Sequence, residues 1–331
     1  MHIGSWSLPN RVFVAPMAGV TDRPYRKLCK KLGAGYAVSE MAASNPQLWD
    51  SVKTSRRLNH DGEIDPIAVQ IAGSDPDMMA EAAVFNVRKG ARIIDINMGC
   101  PVKKVCNVAS GSALLRDENQ IVRILTSVVQ ACKPLDVPVT LKTRTGWDHQ
   151  SKNVLRVAQL AQDIGISALT LHGRTRCDHY KGEAEYDTIR EVKQALDIPV
   201  IANGDIDSPE KALYVLQYTQ ADAIMIGRAA QGRPWIFREI AHYLDTGTHL
   251  APPSYGELRS CLLDHLEDHY QFYGEYTGVR TARKHIGWYL GHLDDASHWL
   301  PGIQQTVSTR EQTRVIEQWF DCYPPNQPFK A

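Results

Sequence analysis

The chain has 331 residues, 43% of them hydrophobic and 22% charged, and its 37 basic side chains balance 37 acidic ones. That composition suits a folded α/β protein large enough for a barrel with an appended module. A net charge of zero means that the molecule as a whole does not draw nucleic acid, so any RNA binding must come from local patches. No apolar run approaches the ~18 residues a membrane helix needs. The start, Met1-His2-Ile3-Gly4-Ser5-Trp6, lacks the basic and apolar regions of a secretory leader, and a cytoplasmic protein without membrane contact is expected. Seven scattered cysteines with no C-x-x-C pair read as reduced thiols. Neither a disulfide framework nor a metal site is expected from them.

Short apolar, β-branched runs bounded by Gly, Asn or Asp recur in chain order. They are Val12–Ala15, Ala37–Glu40, Ile67–Ile71, Ile93–Asn97, Val139–Lys142, Ala168–His172, Val200–Asn203 and Ala223–Ile226. Several are near-continuous rather than alternating, as expected of parallel strands covered by helices. Helical patterns lie between them: Asp75-Pro76 and Ser208-Pro209 each open one with a capping side chain and a proline at the first position. Asp117–Cys132 and Asn153–Asp163 carry i, i+3, i+4 apolar spacing. A doubly wound open sheet shares this rhythm, but a count of eight predicts closure into a (β/α)8 TIM barrel. After a last barrel helix near Pro234–Tyr243, Asp245-Thr246-Gly247-Thr248 and Ala251-Pro252-Pro253-Ser254 mark a boundary. Tyr255–Tyr273, Thr277–Gly291 and Arg310–Cys322 then read as helices with no strand between them. The expected division is a catalytic barrel over 1–245, a small all-α domain over 254–322, and a frayed tail over 323–331 opening on Tyr323-Pro324-Pro325.

Active sites of closed barrels sit at the C-terminal strand ends, so polar residues there carry weight. Strands seven and eight end in Asn203-Gly204-Asp205 and Gly227-Arg228, which suit a phosphate through backbone N–H groups and one fixed positive charge. Two glycine turns and a surface arginine would read the same way. Lys142 points from a buried strand into the mouth, where a lysine needs anionic company. It could form a Schiff base, anchor a phosphate, or face the N1–C2=O edge of a reduced flavin. Gln70 suits a hydrogen bond to a flavin edge, or is a satisfied core amide. Cys100 stands between Gly99 and Pro101 on a rigid turn. A thiol with an ordinary pKa near ~8.5 is protonated at neutral pH and can hand a proton to carbon, and no soft or imidazole partner stands at metal-ligand spacing. General acid is the reading it supports.

These residues resemble the tRNA-dihydrouridine synthases. The likeness is carried by Ala15-Pro16-Met17-Ala18-Gly19-Val20-Thr21-Asp22, Asp95-Ile96-Asn97-Met98-Gly99-Cys100-Pro101, Thr140-Leu141-Lys142-Thr143-Arg144, Leu171-His172-Gly173-Arg174-Thr175 and Asn203-Gly204-Asp205-Ile206. Gly111-Ser112-Ala113-Leu114-Leu115 and the run from Gly227 to Trp235 resemble the bacterial B subfamily. The resemblance implies reduction of the C5–C6 bond of a uridine in the tRNA D-loop, uridine 17 for this subfamily, by FMN that NADPH recharges. By position it implies that Pro16, Met17, Ala18 and Gln70 contact the flavin ring, with Lys142 and His172 at its N1–C2 and N3–C4 edges. Asn203, Gly204, Asp205, Gly227 and Arg228 would hold the ribityl phosphate. Cys100 would protonate C5, Asn97 would bind the uracil, and Arg144 would hold substrate or flavin. Ser110, Cys106 beside Lys103-Lys104, and the small insertion Lys133-Pro134-Leu135 depart from the family pattern without touching a named role.

For tRNA, Arg280, Arg283, Lys284 and His285 cluster on one helical stretch beside Trp288 and Tyr289, and Lys103 and Lys104 form a second patch after Cys100. Positive charge with aromatic neighbours suits phosphates and exposed bases. No G-x-G-x-x-G follows a strand, so NADPH is expected to use the flavin face in turn with RNA. A monomer is the default. Three rivals remain: an FMN barrel acting on a free pyrimidine, resembling dihydroorotate dehydrogenase; a Schiff-base lyase using Lys142; and a non-catalytic RNA-binding barrel.

Overall fold

The apolar runs become eight parallel strands in the computed structural model, which describes every residue except 50–51, 58, 107–108, 292–295 and 330–331. The side chains of 48, 52–54 and 103–104 are likewise outside the description. In chain order the strands are β1 (Val12–Val14), β2 (Tyr36–Ala37), β3 (Ala68–Ala72), β4 (Ile93–Met98), β5 (Val139–Arg144), β6 (Ala168–His172), β7 (Val200–Asn203) and β8 (Ala223–Ile226). Each pairs in parallel with its sequence neighbour, and β8 returns to β1 through Ile224↔Val12 and Met225↔Phe13. The ring closes at the short second strand by a bridge between Val38 and Ala68 and by the Ser39 N–H donating to the Ala68 carbonyl at 2.9 Å. This is the expected (β/α)8 barrel. Strand two is shorter than its sequence run, because the chain leaves the ladder at Ser39 and pairs again only at Ala42–Ala43.

Side chains along a strand alternate between its two faces. Phe13, Ala68, Ile93, Ala168, Ile201 and Ala223 pack with Ile3 and Leu8 into one buried apolar cluster. Ile3 belongs to a small N-terminal hairpin, His2–Ile3 against Trp6–Ser7. Two residues further along the same faces come Gln70, Asp95, Thr170 and Asn203, and two beyond Asp95 comes Asn97. The interior is thus apolar at one end and polar at the C-terminal strand ends. That gradient decides where chemistry can happen.

The chain forms two compact units, Met1–Gly227 and Arg228–Ala331. The division falls at the end of β8, ahead of the boundary read from the glycine- and proline-rich stretch after Tyr243, and the Ile236–Thr246 helix groups with the helices that follow. Within the second unit, helices Tyr255–Tyr273, Glu275–Leu290, Ala296–Gln305 and Thr309–Phe320 surround a core that includes Leu258, Leu262, Leu266, Ile286, Ile316 and Trp319. Ser254 and Glu257 form a reciprocal capping box at the first of these. The Ala296–Gln305 helix was not foreseen, since Pro301 sits inside it and a proline breaks the usual helical pattern. No described helix is long and apolar enough to cross a membrane.

The described part of the tail, as far as Phe329, corrects the expectation of fraying that the sequence gives for 323–331. The Phe329 N–H donates to the Pro253 carbonyl at 2.8 Å, and Tyr255 and Gly256 donate to Gln327 and Pro325. The Phe329 ring is buried edge-on to Trp235 and Tyr255. Prolines forbid a helix there but not anchorage. Phe329→Ala should lower the unfolding free energy by roughly 3 kcal/mol, as for other buried aromatics cut to alanine, read as a lower midpoint in urea. An unshifted midpoint would mean that the tail is not anchored in solution.

Candidate active site

The polar end of the barrel is organised from Asp95 outward. Its two carboxylate oxygens accept from the Thr140 hydroxyl at 2.6 Å and the Gln70 amide at 2.7 Å. A carboxylate can only accept, so the Gln70 NH2 must face Asp95 and its carbonyl must face away. That carbonyl accepts from the Asn97 NH2 at 2.8 Å. The Asn97 carbonyl in turn accepts from the backbone N–H groups of Gly99 at 3.2 Å and Cys100 at 3.0 Å. One buried charge therefore fixes two amide orientations and ends on the loop that carries the thiol. Burial pushes the Asp95 carboxyl up to about 6, against the hydrogen bonds and Lys142 that favour its ionised form, so the carboxylate still prevails at neutral pH.

Cys100 is half-buried, and burial raises its thiol further above the usual range. It keeps its proton at neutral pH. Its carbonyl accepts from the Ser112 hydroxyl at 2.8 Å and the Ser112 N–H at 3.1 Å. Gly111 has φ +62°, and a Cβ there would lie 2.9 Å from that same carbonyl oxygen, so only glycine fits. The Cys106 thiol lies 3.6 Å from the Cys100 carbonyl, so this uncommon cysteine packs against the same loop. Arg144, nearly inaccessible, donates to the carbonyls of Gly99 at 2.8 Å, Thr175 at 2.8 Å and His179 at 2.9 Å, with its guanidinium 5.3 Å from the Tyr180 ring centre. Asn97 and Arg144, expected to hold substrate, are thus committed in good part to holding the cysteine loop.

On the other side of the mouth Lys142 donates to the Asn203 carbonyl oxygen at 2.9 Å, and the Asn203 NH2 donates to the Met225 carbonyl at 2.8 Å. Burial, then the neighbouring Arg144, pulls the Lys142 ammonium down to about 8. The buried Arg174 guanidinium lies 3.3 Å from His172 Nε2. A guanidinium only donates, so Nε2 is the acceptor and a neutral ring carries its proton on Nδ1. Arg174 also grips Asp205 with both ends of its fork, at 2.9 and 2.5 Å. The Asp205 carboxylate is therefore taken, and only its backbone could serve the phosphate expected there. At Gly204, φ +124°, a Cβ would stand 2.7 Å from Ala184 and 3.0 Å from the His172 ring, so this position must be bare.

After β1 the loop is tied back on itself: the Met17 N–H donates to Thr21 Oγ1 at 2.8 Å, and the Gly19 N–H donates to the buried Glu40 carboxylate. Pro16 and Met17 are half-buried and Ala18 is exposed. A Cβ at Gly227 would meet only the Met17 sulfur at 3.5 Å and Ala15 at 3.6 Å. Arg228 is exposed and opens the second unit.

The basic stretch of the second unit is split by its own helix. Arg280 is exposed, hydrogen-bonded to the Tyr276 hydroxyl at 2.9 Å and 5.0 Å from that exposed ring. Arg283 is half-buried and donates to the Thr306 carbonyl at 3.0 Å, and Lys284 is half-buried. His285 is only 1% exposed, which overturns its expected contact with RNA: at about 100° per residue it turns inward as Arg280 and Lys284 turn outward. Lys103 and Lys104 begin the short Lys103–Cys106 helix, and their side chains lie outside the described residues. Sequence reasoning missed Asp95, Arg174 and Tyr276. The first two stand inside the quoted motifs, and Tyr276 sits one turn before Arg280.

The profile of the dihydrouridine synthase (Dus) family matches residues 13–322. The chain is 59% identical over 320 residues to "tRNA-dihydrouridine synthase B" of Pseudomonas aeruginosa, covering 97% of this chain and 96% of that one. It is 61% identical over 320 residues to the protein of that name from Pseudomonas putida, covering 97% and 94%. Among solved structures, 2-naphthoyl-CoA reductase in complex with 2-naphthoyl-CoA matches with a TM-score of 0.57 at 11% identity, over 72% of this chain and 51% of that one. An old yellow enzyme homologue from Zymomonas mobilis matches with 0.50 at 15% identity, over 76% and 92%. At such identities these two structures speak for the barrel fold alone.

Lys142 carries a pH signature. Its folded pKa of about 8 lies below the ordinary 10.5, so between those values the unfolded chain binds the proton and the folded chain does not. Stability contributed by this residue therefore rises with pH across that window. In flavin-free protein, Lys142→Met should remove that rise from the stability–pH curve. A wild-type slope kept in the variant would assign it elsewhere.

Proposed function

This chain belongs to the dihydrouridine synthase family, a family of oxidoreductases, and from that premise we propose that it reduces the C5–C6 double bond of a uridine in the D-loop of tRNA, with FMN as cofactor and NADPH as reductant. The single observation carrying the reading is a thiol that keeps its proton, on a loop that a buried hydrogen-bond relay holds rigid. The donor set suits a flavin. Lys142 and His172 offer an ammonium and an imidazole from the C-terminal halves of two strands, beside the apolar Pro16, Met17 and Ala18, and Gln70, engaged with Asp95 and Asn97, keeps one N–H and one lone pair for the ring. Gly204 leaves bare a spot that a Cβ would crowd. Backbone N–H groups around Asn203, Gly204, Asp205 and Gly227, with Arg228, would take the phosphate.

FMN, when bound, supplies the hydride that arrives at C6. Cys100 gives its proton to C5, where the former π pair forms the new C–H bond, and the thiolate left behind regains a proton from water. Asn97 and Arg144 act chiefly through the loop, keeping the sulfur where the base arrives. Lys142 would lie against the bound flavin, where its ammonium would counter negative charge. The uridine must leave its stack to reach the barrel mouth, at a cost of a few kcal/mol that a loop position reduces. Arg280 with Tyr276, Arg283, Lys284 and the Lys103-Lys104 pair would contact the RNA. The resemblance of the sequence motifs to the bacterial B subfamily favours uridine 17 as the target. We take the enzyme to act as a cytoplasmic monomer, with NADPH visiting the same mouth.

The purified protein should be yellow with FMN. Cys100→Ala should keep flavin and NADPH oxidation yet lose dihydrouridine formation in tRNA by at least ~100-fold, the usual weight of a general acid; wild-type product formation in that variant would end the assignment. Because phosphate contacts release counterions, tRNA affinity should fall steeply with salt, and Arg280→Ala should reduce the log–log slope by about 1. An unchanged slope would take Arg280 out of the RNA contact.

A further inference from the structure

The second unit holds three histidines that the proposed reaction does not use. His265 and His269 stand four residues apart on the Tyr255–Tyr273 helix, and His285 comes from the Glu275–Leu290 helix. All three are at most 2% exposed. One nitrogen from each lies within 4.8 Å of the others. We infer that His265, His269 and His285 are the ligands of one divalent cation of the zinc class, which ties the two helices together in the core of the unit.

The ring geometry favours coordination over simple packing. Ring centres lie 4.8 Å apart for His265–His285, 5.4 Å for His269–His285 and 6.1 Å for His265–His269, with planes crossing at 78°, 66° and 82°. With metal–nitrogen bonds of roughly 2.0 Å, three imidazoles on a tetrahedral ion put their ring centres about 5 Å apart. Closing the nitrogens onto an ion asks each ring to move by no more than about 1 Å.

One tautomer is fixed in the sense coordination needs. The Thr281 hydroxyl donates to the Thr277 carbonyl at 2.7 Å, so its single proton is used. It can then only accept from His269 Nε2–H, 2.8 Å away. That puts the His269 lone pair on Nδ1 and supplies the outer hydrogen bond that orients metal-bound imidazoles. Of the charged neighbours, Asp268 acts in favour of a cation and Lys284 against it. Cys261, one turn before His265, is not in the group among the described residues; its thiol lies 3.7 Å from the Tyr289 hydroxyl. Three imidazoles without thiolate or carboxylate select zinc, nickel or cupric copper over magnesium and calcium. Water would complete the tetrahedron.

Full-length protein, treated with chelator and desalted, should retain one zinc per chain by elemental analysis after zinc is added and the excess removed. Zinc should also raise its unfolding midpoint by about 5 °C, and Co2+ should give tetrahedral absorption above the flavin bands. His285→Gln should abolish all three effects. Thr281→Val, which keeps the ligands but removes the orienting acceptor, should weaken zinc binding roughly 10- to 100-fold, and His149→Gln at an exposed histidine should change nothing. Wild-type protein that retains no zinc and whose midpoint zinc does not move overturns the site, whether or not the variants fold. So does full retention by a folded His285→Gln variant.

Discussion

A single buried carboxylate sets the polarity of the candidate site. Asp95 accepts on both oxygens, and this alone determines which end of Gln70 and then of Asn97 faces the cysteine loop. The arrangement depends on register: Gln70 pairs with Asp95 and Asp95 with Thr140 across β3, β4 and β5. A slip of one residue in any of these strands would send the relay to the helix side. Barrel closure and thiol orientation are thus two results of the same ladder. The loop itself adds Arg144 and the bare Gly111, so the sulfur is held from three directions.

The opposite wall follows a similar logic with a cation at its centre. Arg174 fills its donors with Asp205, the carbonyls of Lys181 and Gly182, and His172 Nε2. It is a positioning residue, deciding the tautomer of His172 and withdrawing the Asp205 carboxylate from any competition with a phosphate. Lys142, Arg144 and Arg174 stand at the mouth with the carboxylates of Asp95 and Asp205 set against them.

Much of this was legible in the sequence, for physical reasons. Strands buried on both faces are continuous apolar runs, and all eight could be counted; the first ran one residue too far, and the second, two residues long plus a bridge, was the most overextended. Cys100, Lys142 and His172 stood out because reactive side chains at strand ends are costly unless used. Asp95 and Arg174 did not, since their roles lie in the partners they orient, which are 25 to 45 residues away for Asp95 and up to 31 for Arg174. Adjacency misled at His285: residues that are neighbours in sequence lie on different sides of a helix. The spacing of His265 and His269 is readable as one helix face, but His285 comes from a different helix and nothing in the sequence brings it to them. Proline at 301 concealed a helix for the same local reason that prolines at 324 and 325 suggested a loose end.

The antiparallel bridge between Ser254 and Pro328 has a bearing on how such a chain is assembled over evolutionary time. The four-helix block leaves the preceding polypeptide and finishes at adjoining points, like a loop drawn closed at its neck. A block of that shape can be acquired, discarded or swapped in one recombination step without stretching what precedes it.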